Sequence, residues 1–223
     1  MKTNITTISV FRIIFAFAIF FLYENSKAQN LVPNGSFDII DQNDCPERPR
    51  TNDKNVNLLP GWTWPTVDGT TDYFNTCSRG GMVGIPNNFA GRCPTKNGEG
   101  YVGLILKTKA EGKENYREYI QTQLTETLKK DHIYCVSVFY RLADCSTFSI
   151  DKLGIYFTQA ETKIPSGKVM AGFKPQIETE GYFLDNNEEW KPLYTIYKAT
   201  GNEQFMMIGN FKTDADTQEK PRK

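Results

Sequence analysis

From residue 133 to residue 142 the side chains alternate in character. Val136, Val138, Tyr140 and Leu142 fall on one side, and Cys135, Ser137, Phe139 and Arg141 on the other. A period of two does not fit the 3.6-residue turn of an α-helix, so this run predicts an extended strand. The same patterning places strands at 101–106, 119–124 and 153–158, with 31–32 and 37–40 as an opening strand region. Residues 190–199 and 204–211, joined by Thr200-Gly201-Asn202, carry a hairpin signal. Pro60-Gly61-Trp62-Thr63-Trp64 reads as a turn feeding a short strand. Residues 111–118 are the one helix candidate, and Gly112 weakens it. Many short strands between polar loops, with aromatic residues at 13%, predict an all-β fold, an antiparallel β-sandwich. No internal repeat or low-complexity linker divides the chain, so one sandwich domain is expected over residues 29–212.

The amino-terminal 28 residues have the parts of a secretory signal. Lys2 and Arg12 supply positive charge, residues 13–23 are an unbroken apolar run, and Ser26-Lys27-Ala28 offers small residues around a cleavage point. The apolar run is shorter than the ~20 residues that cross a bilayer. A chain exported to the periplasm, cell surface or extracellular space is therefore expected, with no transmembrane segment in its mature part. The 26 basic and 26 acidic residues balance, and the basic ones are scattered. Without a basic field, nucleic acid is not an expected partner, and no basic amphipathic helix is present to lie on a membrane.

Five cysteines, Cys45, Cys77, Cys93, Cys135 and Cys145, all follow the leader. In an oxidising compartment pairing is the default, with one left over and about fifteen arrangements open. Cys45 with Cys77 is the expected disulfide, because the two bracket the first long loop and the tryptophan-containing strand. Cys135 with Cys145 is a second candidate pair. No Cys-x-x-Cys occurs and His132 is the only histidine, which argues against zinc.

The order of several segments resembles the galactose-binding-domain-like jelly roll, in the version found at the amino terminus of OmpA-type and other secreted envelope proteins of Gram-negative bacteria. The matching stretches are Asn30-Leu-Val-Pro-Asn-Gly-Ser-Phe-Asp38, Pro60-Gly-Trp62, Gly69-Thr-Thr-Asp-Tyr-Phe-Asn75 and Gly100-Tyr-Val-Gly-Leu104. Tyr116-Arg-Glu-Tyr-Ile-Gln121 and Ile208-Gly-Asn-Phe211 complete the series. Such modules continue into a closing strand with an aspartate-rich motif. Here residues 213–223 are polar with no strand-like run, so either the chain is truncated or this version lacks its closing strand, and a disordered or truncated tail is expected. The opening segment would then keep an unpaired edge, which recruits other strands. The resemblance also implies a structural calcium ion at Asp38, with Asp41 assisting; calcium needs six or more oxygens.

Trp64 and Tyr73 lie near long loops, where exposed rings stack on pyranose faces. Glu118 shares a strand face with Ile120 and Thr122, and either orients a sugar hydroxyl or pairs with Arg141 or Lys107. Nothing assembles a catalytic site: there is no Gly-x-Ser-x-Gly elbow, and no recognisable carboxylate pair. The expected function is non-catalytic binding at the cell envelope, with carbohydrate the leading ligand. The alternative is a structural or adhesive module that contacts another envelope protein. A flat, largely aliphatic exposed face would favour the latter, and a groove with unburied aromatic rings the former.

Overall fold

The alternating run becomes an eight-residue strand, and a second strand of equal length lies antiparallel beside it. The computed structural model describes residues 29–40, 45–49 and 59–222; the expected leader and Asp41 lie outside these. Residues Leu31–Lys223 make up one compact unit. Its strands among the described residues are β1 (Trp62–Thr63), β2 (Asp72–Asn75), β3 (Asn87–Asn88), β4 (Gly91–Arg92), β5 (Gly100–Gly103), β6 (Tyr119–Gln123) and β7 (Ile133–Tyr140). They continue with β8 (Phe148–Ile150), β9 (Gly154–Thr158), β10 (Ile177–Glu178), β11 (Lys191–Lys198), β12 (Phe205–Gly209) and β13 (Glu219–Pro221). The fold is all-β, and its strands pair in antiparallel fashion.

Five strands form the main sheet in the order β1-β6-β12-β9-β10, while β7 and β11 form a separate two-stranded ribbon. The core lies between them. Ile120 of β6, Met206 and Ile208 of β12, and Ile155 and Phe157 of β9 join Tyr197 in one buried cluster. Val136, Val138 and Leu193 pack against it from the ribbon. Phe157 and Tyr197 stack across the gap, with ring centroids 4.5 Å apart and planes 7° from parallel. Trp62 is buried at one end, its indole N–H donating to the Asn34 carbonyl at 3.0 Å. On the other face of the main sheet, Tyr119, Met207, Phe211 and Met170 form a second cluster.

The disulfide joins Cys45 to Cys77, as the bracketing argument expects, with Cα atoms 5.9 Å apart. In the chain-entropy picture a crosslink spanning 32 positions contributes about 3.7 kcal/mol. Cys135 and Cys145 do not pair; both are free and exposed, and Cys93 is free as well.

Four elements differ from the sequence expectation. Residues 111–118 form no helix, because Gly112 and Asn115 both adopt positive φ (71° and 58°) and turn the chain. The opening segment is a turn, not a strand: Asn34 Nδ2 donates to the carbonyls of Ile39 (2.8 Å) and Pro60 (3.0 Å), and its Oδ1 accepts from Ile39 N–H at 3.0 Å. An asparagine that satisfies the backbone locally removes the need for a ladder. The expected 190–211 hairpin does not form either. β11 pairs with β7, whereas β12 sits between β6 and β9, so the tight connection crosses from one layer to the other.

The last difference is the tail. Residues expected to be disordered fold back, and β13 pairs with β8. Polar side chains hold the tail in place. Asp214 bridges to the fully buried Arg117 at 2.9 Å and accepts from Asn115 N–H at 2.7 Å. Lys107 Nζ donates to the carbonyls of Asp214 and Thr217, both at 2.9 Å, and pairs with Glu219 at 2.9 Å. Asp214→Ala strands the Arg117 charge in the interior and is expected to cost about 3–5 kcal/mol. Urea unfolding checks it: an unchanged midpoint would show that the tail contributes no stability.

The connection that crosses between layers depends on Glu203, which is buried. Its carboxylate accepts from Tyr197 O–H (2.6 Å), from Thr200 N–H and Oγ1–H (both 2.7 Å), and from Gly201 N–H (2.8 Å). Burial acts to raise its pKa, but the hydrogen bonds from Tyr197 and Thr200 prevail and hold it at about 2. A carboxylate with a depressed folded pKa adds stability that is complete above its ordinary value of 4.5 and is lost as pH falls toward about 2. Glu203→Gln is expected to lose about 2 kcal/mol at neutral pH. It should also remove part of the decline that the unmutated protein shows between those pH values. Denaturant midpoints measured across that range test this, and parallel pH profiles would refute it.

Candidate interaction surface

Of the sequence-derived sugar-binding residues, two are buried and the third is partly so. Tyr73 is 4% exposed. Its hydroxyl donates to the Phe37 carbonyl at 2.6 Å and accepts from Asn75 Nδ2 at 2.5 Å. Burial, with smaller contributions from Asp38 and Glu99, pushes its pKa up to about 12. Trp64 is partly buried against the main core. Glu118 is 1% exposed, and its partners are neither Arg141 nor Lys107. One carboxylate oxygen accepts from Thr70 N–H (3.1 Å), Thr70 Oγ1–H (3.0 Å) and Tyr116 O–H (2.9 Å), the other from Ile105 N–H (2.8 Å). With four donors engaged, Glu118 fastens loops to the start of β6. Glu118→Gln is expected to destabilise by about 2 kcal/mol, since an amide nitrogen cannot accept from those donors. Thermal unfolding reads this out, and a wild-type melting temperature would contradict the fastening role.

Asp38 is half-buried, and its Oδ1 accepts from Glu99 N–H at 2.5 Å. Among the described residues no three acidic, histidine or cysteine side chains converge to hold a metal. Asp41, the other residue of the expected calcium set, lies outside the described residues, so only the Asp38 half of that expectation can be placed. A depression of about 380 Å³ runs past Lys107, Lys109, Glu111, Glu114 and Glu219. Both lysines there pair with Glu219, whose carboxyl they hold below the usual carboxylate range, Lys109 foremost.

The unsatisfied surface is on the outside of the β7–β11 ribbon. Register pairs Phe139 with Pro192, Ser137 with Tyr194, Cys135 with Ile196 and Ile133 with Lys198. Antiparallel partners point to the same side, so these eight side chains share the face opposite the core. Ile133 and Tyr194 are each 67% exposed and Ile196 is 68% exposed. Tyr194 meets Phe139 edge-on at 6.1 Å, and the Lys96 ammonium lies over the Phe139 ring at 4.8 Å. Lys198 is the one charged member of the eight, and Asp131 neutralises it at 2.9 Å.

Loop aromatics drew attention in the sequence, and this face was missed. Its signal was nevertheless present. Residues 191–198 carry Leu193 and Tyr197 on one side and Pro192, Tyr194 and Ile196 on the other, so the strand is apolar on both faces. A strand with one solvated face normally alternates apolar with polar.

Comparison with protein-family models, curated proteins and solved structures finds no match to this chain. Among the described residues no helix is long and apolar enough to cross a membrane.

Proposed function

We propose that this chain is an exported, non-catalytic module that binds another protein through the outward face of the β7–β11 ribbon. The observation that carries this is the row of Ile133, Tyr194 and Ile196, each about two-thirds exposed on one flat surface. Single exposed apolar residues are ordinary, but a contiguous group of this kind marks an interaction site. Protein interfaces favour such a composition, with aromatic anchors and few charges at the centre. The leader pattern and the Cys45–Cys77 disulfide support export. The resemblance to envelope jelly-roll modules supports a place at the cell envelope.

The sugar-binding reading keeps one specific support, the exposed Tyr194 ring, which presents a flat face of the kind pyranoses stack on. Around it, however, Pro192, Ile196 and Phe139 supply no side-chain hydrogen bonds, and the Ser137 hydroxyl opposite the ring is the one uncharged polar group beside it on that face that could orient a sugar hydroxyl. A photo-crosslinking residue placed at position 194, exposed to envelope fractions, distinguishes the two. Docking predicts a discrete protein adduct that Ile196→Asp abolishes without changing the melting temperature. The sugar reading predicts no adduct and a glycan-array signal lost in Tyr194→Ala, and that pattern would overturn protein docking.

A further inference from the structure

Resting on that reading, we infer that the protein docked on the β7–β11 face is a second copy of this chain, packed ribbon against ribbon about a two-fold axis. Charge, shape and area all bear on this. A surface that meets itself must avoid like charges, because juxtaposed charges of one sign oppose association. Here seven of the eight outward side chains in the register are uncharged, and the eighth, Lys198, is already paired with Asp131. The basic side chain near the other end, Lys96, rests on the Phe139 ring.

The ribbon's shape is also suited to self-packing. Two eight-residue strands give a surface about 26 Å long, and sheets of this kind stack face to face at about 10 Å. The side chains grade from Ile133 at one end to Phe139 and Pro192 at the other, with Tyr194 and Ile196 between. An axis across the strands at mid-ribbon sets the aliphatic end of one copy against the aromatic end of the other. Exposed Cys135 and Ser137 fall on the two central rows and leave room beside the larger rings.

Area then sets the strength. A face of two eight-residue strands lies at or below the ~1,000 Å² of total burial that a specific, stable interface needs. Such a dimer is reversible and depends on concentration. It differs from the self-association expected of an unpaired opening strand, since that segment is a turn closed on itself by Asn34.

Sedimentation velocity of the mature chain over a thousandfold concentration range tests the inference. Ile196→Asp and Tyr194→Asp run alongside; both positions are two-thirds exposed, so the fold is expected to survive, and melting temperature verifies this. The expected result is a monomer–dimer equilibrium in the unmutated chain, weakened at least tenfold in each variant. As an independent readout, a short bismaleimide added to the Cys93→Ser/Cys145→Ser protein is expected to link two chains through Cys135. The crosslinked dimer should disappear when Ile196→Asp is added.

A chain that stays monomeric throughout, or a dimer that persists unchanged in both aspartate variants, overturns the inference. A monomer that still gives the position-194 adduct with a different protein overturns the second copy alone and leaves docking standing. A monomer without that adduct removes both.

Discussion

Arg117 is the buried charge on which the arrangement of the chain turns. Its side chain is 0% exposed, and its guanidinium donates to the carbonyls of Tyr116 (2.8 Å) and Lys212 (2.9 Å) while pairing with Asp214. A cation this deep is tolerable only with a partner, and the partner comes from the carboxy-terminal segment. Asp214 and Asn115 also exchange reciprocal hydrogen bonds at 2.7 Å, so the 113–117 turn and the tail define one another. From that anchor the chain passes Lys107 and reaches β8, where β13 completes a small sheet. Asn210 adds to the attachment by donating to Leu106 O and to Thr217 Oγ1.

Legibility in the sequence follows a physical division. Properties that a segment expresses alone could be read: the alternation at 133–142, the scarcity of helix, and a disulfide bracketing one loop. Properties that depend on a distant partner could not. The 190–211 segment contains two strands and a tight turn, yet which strands they pair with is decided by β6, β7 and β9 far away in the chain. Polar residues misled for the same reason. Asp214, Thr217 and Glu219 look like a solvated tail until Arg117, Asn210 and Lys107 are placed beside them.

The candidate site shows the converse. Tyr73, close to a long loop, was read as ligand-facing, but it lies in the core. Glu118 looked like a groove residue because its strand face was known and its loop partners were not. What the structure leaves exposed is a strand surface that the core does not consume. Its apolar character was written in Pro192, Tyr194 and Ile196, and only the burial of Leu193 and Tyr197 says which side is which.

Strand alternation has a consequence for how such a molecule can change over time. In β7 and β11 the odd and even positions answer to separate demands: one set packs against Phe157 and its neighbours, and the other meets whatever lies outside. Substitutions on the outer set leave the packing of the inner set untouched. A lineage carrying this fold is therefore free to change its outer surface one residue at a time without repacking the core. The same strands carry both the scaffold and a surface that can vary, and neither has to wait for the other.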